Sequence, residues 1–288
     1  MFFEIARAIK EIQPSYVLLE NVKGLFSHDG GRTFGTIIQT LDELGFFTEW
    51  GLFNSKYWGV PQNRERVYIL ATRKDKFKEP LLFDLVKQQT EVTTRLIDVL
   101  EDEVDEKYYL SEEKTKKLTL DTDLGGKLNM YNYNERDKVH SVNKVSPTLN
   151  TMQGGNRQPK IAIPTLTPDR INKRQNGRRF KDDGEPMFTL TAQDRHGIII
   201  DDTQGYDGVR TYKGISPTLR SSRSGLKTID NLRIRKLTEK ECWRLQGFTD
   251  EQFYKAKDSG VSNSQLYKQS GNSVTVPVVD AIVKQLKE

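Results

Sequence analysis

Apolar residues recur at helical spacing at the start of the chain, at Ile5, Ala8, Ile9 and Ile12, and Pro14 closes the pattern, because proline cannot extend a helix. The apolar residues then become continuous: Val17-Leu18-Leu19 runs straight into Glu20-Asn21-Val22. Such a run predicts a central strand of a parallel sheet, covered on both faces. A second helical stripe follows at Phe34, Ile37, Ile38, Leu41 and Leu44, with Gly45 as its stop. Phe46 to Tyr57 reads as β-rich, and Val67-Tyr68-Ile69-Leu70-Ala71-Thr72 as a second buried strand. Helix, strand, helix, strand is the order of half of a doubly wound α/β domain, starting in its middle. Ligands of such sheets gather at the carboxyl ends of the strands. Glu20 is therefore either a solvent-facing strand end or an acid placed where chemistry is done.

The middle of the chain repeats itself. Val145-Ser146-Pro147-Thr148-Leu149-Asn150-Thr151 returns as Ile215-Ser216-Pro217-Thr218-Leu219-Arg220-Ser221, with a looser copy at Glu185-Pro186-Met187-Phe188-Thr189-Leu190-Thr191. Polar, Gly-containing residues and then an apolar stretch follow each copy. Each unit predicts a Pro turn, a short strand, a polar loop and a second short strand.

The bulk composition adds bounds. The 288 residues suffice for two domains, with 35% hydrophobic and 30% charged residues. One cysteine excludes a disulfide framework and suits a reducing cytoplasm. The first residues are too soon acidic, at Glu4, to form a signal peptide. The net charge of +5 is unevenly placed. Residues 98–106 hold six acids, a pattern expected of a solvated connector, whereas residues 157–235 hold 16 Lys and Arg against 9 Asp and Glu. That basic segment is either a solvated face or a phosphate-contacting one. His28, His140 and His196 stand at no metal-ligand spacing and are expected at polar surfaces.

Glu20-Asn21-Val22 and Gln62-Asn63-Arg64-Glu65-Arg66 resemble two signature motifs of the DNA (cytosine-5) methyltransferases. The stretch Arg235 to Phe248 resembles the family's ninth motif, and Gly271-Asn272-Ser273-Val274 through Val279 its tenth. The resemblance covers residues 1–75 and 230–288 well, and the middle by position. It implies an α/β fold: the second half of a Rossmann-like methyltransferase sheet plus a smaller β-rich target recognition domain. The expected division is a partial catalytic domain over 1–90, the target recognition domain with its acidic connector over 91–232, and C-terminal helices returning to the catalytic domain over 233–288. The family's Pro-Cys-Gln nucleophile loop and Gly-rich cofactor loop do not occur in this sequence. Cys242 lies in the ninth-motif helix behind a Thr238-x-x-Glu241 capping box and is expected to be structural.

By resemblance, the reaction is methyl transfer from S-adenosylmethionine to carbon 5 of a cytosine flipped out of duplex DNA, as in restriction-modification systems. A thiolate adds at carbon 6, and an acid against ring nitrogen 3 relieves the charge; that role falls to Glu20. Asn21 would brace the Glu20 loop, and Arg66 would reach into the pocket. Arg64 and Gln62 would order the loop and nearby phosphates. Asn272 and Ser273 would line the donor pocket, although a turn or cap explains Asn272 equally. Val274, Val278, Ala281 and Ile282 would pack their helix against the half-domain that the motifs lack. Gln153, Asn156, Arg157, Gln193, Arg195, Arg220 and Arg223 would face base edges, and Arg174, Arg178 and Arg179 the phosphates. A raw strand edge invites a second polypeptide carrying the cofactor loop and nucleophile. A non-catalytic DNA-binding protein and an inactive remnant are the alternative readings.

Overall fold

In the computed structural model, the described residues are 2–115, 117–120, 125–130, 134–152, 157–164, 199–200, 210–211, 226–227 and 232–286. The N-terminal part begins with α1 (Phe2–Ile12), β1 (Tyr16–Val22), α2 (Arg32–Glu43) and β2 (Phe46–Asn54). It continues through β3 (Glu65–Arg73) and α3 (Leu82–Lys87). Both helical stripes form as their spacing demands, and Gly45 ends α2 at φ 89°, a conformation that costs glycine little. One expected position fails: Ile12 points outward, 73% exposed, and Ala6 joins Ile9 in the core instead.

The sheet order is β1-β3-β2, and β3 is antiparallel to both neighbours. This corrects the parallel central strand expected at Val17–Val22. β1 is an edge strand among the described residues, and only Val17 is buried along it. The doubly covered strand is β3, buried without a break from Val67 to Thr72. Val67, Ile69 and Ala71 face α1 and α2 with Leu41 and Phe46; Tyr68 and Leu70 face the opposite layer with Leu82 and Leu85. Three layers result: helices, sheet, helices.

The second layer closes with a helix from the far end of the chain. After β11 (below) come α6 (Glu239–Arg244), α7 (Asp250–Asp258), α8 (Asn263–Asn272) and α9 (Val276–Gln285). Val278 and Ile282 of α9 pack with Tyr68, Leu70 and Leu85, and Ala281 lies beside them. The expectation that this helix seats against a missing half-domain is thereby corrected, because β3 and α3 supply its apolar face. Val274 alone stays open, 37% exposed.

The middle region contributes α4 (Glu112–Thr115), β4 (Thr119–Leu120), β5 (Gly126–Lys127), α5 (Asn134–Asp137), β6 (Lys138–His140) and β7 (Lys160–Pro164). It also contributes β8 (Ile199–Ile200), β9 (Arg210–Thr211), β10 (Leu226–Lys227) and β11 (Leu232–Lys236). One sheet runs β11-β7-β6-β5-β4 and a small one β10-β8-β9. Leu96, Leu149, Met152 and Ile161 of this region share a core with Leu237, Cys242, Leu245 and Tyr267.

Two expectations for the middle change. The acidic stretch is not simply solvated: Glu101 pairs with Lys240 at 2.6 Å and takes the Thr238 hydroxyl, while its backbone N–H donates to Glu241. The first repeat copy is not a hairpin arm. Ser146 makes an isolated bridge to Gln62, so residues 145–151 lie as an extended strap on the N-terminal part. The other two copies lie outside the described residues. No helix among the described residues is long and apolar enough to cross a membrane.

Candidate active site

Glu20 lies two residues before the end of β1, directly opposite Tyr68 of β3, and Val22 pairs with Arg66. Alternation along a strand places residues two apart on one face, so Glu20, Arg66 and Tyr68 share the face that looks toward α9. Arg66 Nε lies 2.8 Å from Glu20 Oε1, with both side chains about three-quarters or more covered. The pair is an ion contact by distance, yet the buried Glu20 Oε1 accepts no aligned hydrogen bond among the described residues. Arg66 Nη1 is held by the Glu65 carbonyl at 2.8 Å. The arrangement holds a carboxylate beside a fixed cation on one face of the sheet.

Asn21 is exposed, and its Oδ1 accepts from the Val22 N–H at 2.8 Å, a local contact in the last residues of β1. Tyr68 is buried beneath the pair; burial, and then the Glu20 charge, push its phenol up to about 12. It stays protonated and hydrogen-bonds the Thr275 backbone at the start of α9.

Gln62 and Arg64 of the Gln62–Arg66 segment turn inward, while Asn63 is exposed, and here two expectations are corrected. Gln62 is fully buried, its Nε2 donating to the Leu245 carbonyl at 3.1 Å, so it is not placed to read DNA. Arg64 is 3% exposed. Its Nη1 donates to the Leu149 carbonyl at 3.2 Å, and its Nη2 to those of Gly271 and Ser273 at 3.3 and 2.9 Å. It touches neither Glu20 nor open surface, so it is a clamp between segments rather than a catalytic or phosphate-binding group. Burial, followed by the neighbouring Arg66 charge, pulls its guanidinium down to about 10, still charged at neutral pH.

Sequence reading missed the polar web around this clamp. Ser55 Oγ meets Thr275 Oγ1 at 2.7 Å, Thr275 Oγ1 donates to Gln246 Oε1, and Gln246 Nε2 donates to the Ser270 carbonyl at 2.8 Å. These residues are buried and satisfy one another. A buried polar side chain between apolar neighbours, such as Gln246 after Leu245, was the only available signal.

Asn272 is exposed, and its side-chain amide takes no partner among the described residues; Ser273 is half-buried, its Oγ donating to the Val274 carbonyl at 2.9 Å. Arg157 is exposed. Gln153, Asn156, Arg174, Arg178, Arg179, Gln193, Arg195, Arg220, Arg223 and His196 lie outside the described residues. His28 is exposed and shares a 2.6 Å contact with Thr33. His140 departs from its expected surface place: it is half-buried on β6, and burial, then the Lys138 charge, push it down to about 4. Cys242 is fully buried, as its capping-box helix implies, and the Thr238–Glu241 box is formed reciprocally.

Residues 1–288 match the family model for C-5 cytosine-specific DNA methylases. The orphan methyltransferase M.SPBetaI of Bacillus phage SPbeta is 41% identical, across 99% of this chain and 69% of that protein. The type II methyltransferase M.SsoII of Shigella sonnei is 32% identical, across 99% of this chain and 56% of its own length. In fold, the chain resembles the S. pombe Dnmt2 methyltransferase with a TM-score of 0.56 at 18% identity, over 99% of this chain and 70% of that one. The chain belongs to the C-5 cytosine-specific DNA methylase family, whose members draw their methyl group from S-adenosylmethionine.

Proposed function

We propose that this chain carries the acid and the target-reading part of a DNA cytosine-5 methyltransferase, and that the attacking thiol and the donor loop come from residues beyond this sequence. The observation that supports it most is the Glu20–Arg66 pair at the end of β1, with one carboxylate oxygen buried and short of a donor.

A cytosine flipped toward α9 would offer ring nitrogen 3 and its exocyclic amine to Glu20. The Glu20 carboxyl would hydrogen-bond there and stabilise the ring charge that thiolate addition creates. Arg66 would hold that carboxyl in place and meet the base edge, and the Asn21 turn would fix the height of both. The exposed Asn272 amide, without a partner among the described residues, and the adjoining Ser273 would form one wall of a donor site just before α9. S-adenosylmethionine, when bound, supplies an electrophilic methyl group. Flipping costs a few kcal/mol of unstacking.

The thiol is a separate matter. The sequence contains no Pro-Cys-Gln, and Cys242 is walled into the core. The edge of β1 that is unpaired among the described residues, with Tyr16 and Val22 exposed, suits the addition of further strands from an upstream segment or from a second polypeptide. In this reading residues 1–90 are the second half of a Rossmann-like sheet, and residues 91–232 form the target recognition domain. Arg157, Arg174, Arg178, Arg179, Arg195, Arg220 and Arg223, with Gln153, Asn156 and Gln193, would meet the DNA.

The test is transfer of labelled methyl from S-adenosylmethionine to duplex DNA, with and without a polypeptide bearing a Pro-Cys-Gln loop and a Gly-rich donor loop. Activity only in the combination is expected, and Glu20→Ala should abolish it while DNA binding persists. Transfer by the unaided chain would refute the borrowed thiol; full activity of Glu20→Ala would refute the role of the acid.

A further inference from the structure

The first Ser-Pro-Thr-Leu copy does something that no base-reading hairpin needs to do. Its Ser146 N–H donates to the Pro61 carbonyl at 2.7 Å, and its Ser146 carbonyl accepts from Asn63 N–H at 2.8 Å. Thr148 Oγ1 donates to the Asn63 carbonyl at 2.6 Å, across 85 residues of sequence. Leu149 and Met152 anchor it in the core beside Tyr267 of α8. At its end, Asn150 presses on Gly271 so closely that a Cβ there would sit 2.0 Å from the Asn150 carbonyl oxygen. Arg64 completes the arrangement, because one guanidinium serves Leu149 of the copy and Gly271 and Ser273 on either side of Asn272.

We propose that Arg64, together with this first copy, is a positioning device for the Asn272–Ser273 loop, so that residues 145–151 set the methyl-donor side of the site rather than the DNA sequence read. The inference rests on the reading of Asn272 and Ser273 as donor-side residues. It separates the first copy from the other two, which remain candidates for base reading. Arg64 acts through the carbonyls flanking Asn272, not on the substrate. Its fork geometry matters as well as its charge, since two separate nitrogens of one rigid plane reach carbonyls of two different segments, whereas a lysine offers a single nitrogen on a flexible stem.

The test has two arms. In the chain as it stands, amide hydrogen exchange over residues 271–275 is compared between the unaltered protein, Arg64→Lys and Thr148→Val. Thr148 is exposed and Val keeps its shape, so this variant folds even if Arg64→Lys does not. The loss of one hydrogen bond predicts exchange about threefold to tenfold faster at 271–275 in Thr148→Val. That segment shares no direct contact with the threonine hydroxyl. Faster exchange confined to residues 61–63 and 146–150 would overturn the proposal. In the combined enzyme, both variants should raise KM for S-adenosylmethionine about tenfold and leave KM for DNA and the methylated sequence unchanged. A shift in sequence preference with donor KM unmoved would also overturn it. Should even the unaltered combination fail to transfer methyl groups, the broader function fails, while the exchange arm still decides this inference.

Discussion

The Gln62–Arg66 loop joins two regions built on opposite principles. On one side, Gln62 and Arg64 point into the molecule and donate to carbonyls from three distant segments, while the buried Gln62 Oε1 and Arg64 Nε have no hydrogen-bond partner among the described residues. On the other, Arg66 points toward Glu20, partly open, and leaves a carboxylate oxygen short of a donor. Gln62 and Arg64 precede β3, whereas Arg66 lies within it, opposite Val22 of β1. The clamp side spends its hydrogen bonds on holding the ninth- and tenth-motif segments together. The site side instead sets two opposite charges side by side where they remain partly exposed, which is what a group that must bind something requires.

Exchanging one atom for another on each side breaks this comparison most sharply. Glu20→Gln keeps the shape but removes the acid, and a methyl transfer rate about 10²–10⁴-fold lower is expected in the combined enzyme. Its stability should move by less than about 1 kcal/mol, because a partly solvated pair contributes little. Arg64→Met should do the reverse. Three carbonyls lose their donor in a dry setting, at about 1–3 kcal/mol for each that water cannot reach, so urea denaturation should show a loss of about 3–5 kcal/mol. Equal destabilisation by the two variants would erase the distinction between clamp and site.

A smaller effect separates the sheets. His140 on β6 is pushed down to about 4 from 6.5 by burial, and then by Lys138. Between those pH values the unfolded chain binds a proton that the folded chain refuses. The stabilisation is therefore complete above about pH 6.5 and is lost as pH falls toward 4. The loss should reach about 2–3 kcal/mol across that window, and His140→Gln should flatten the stability profile there. A profile unchanged by the substitution would place His140 in water.

What could be read from the sequence follows the same divide. Faces were legible: the α2 stripe, the Gly45 stop, the Thr238–Glu241 box and a carboxylate at the end of an apolar strand all rest on local spacing. Partners were not. β3 inserts antiparallel between β1 and β2, and nothing in the run Val17–Val22 states which strand will lie beside it. Arg64 looked like a companion of Arg66 because they are two residues apart, yet its acceptors stand 85 and 209 residues away. Periodicity encodes which side of an element is apolar; only long-range closure decides what covers it.

The finest discrimination concerns the one thiol in the sequence. Cys242 belongs to the clamp region by location, fully buried among Leu237, Leu245 and Tyr267. Burial raises its pKa well above the ordinary thiol value, and the charges of Glu241 and Glu239 push the same way. A protonated, enclosed thiol is a poor nucleophile. Cys242→Ala removes one sulfur atom from a packed site, so a stability loss of about 1 kcal/mol is expected by analogy with other small truncations. Methyl transfer by the combined enzyme should stay within about twofold, as befits a surrounding that touches no reacting atom. Alkylation of the native chain by iodoacetamide should be as slow as its unfolding. A well-folded Cys242→Ala chain that had lost methyl transfer would move the reactive sulfur into this polypeptide, and the Glu20–Arg66 pair would then need another explanation.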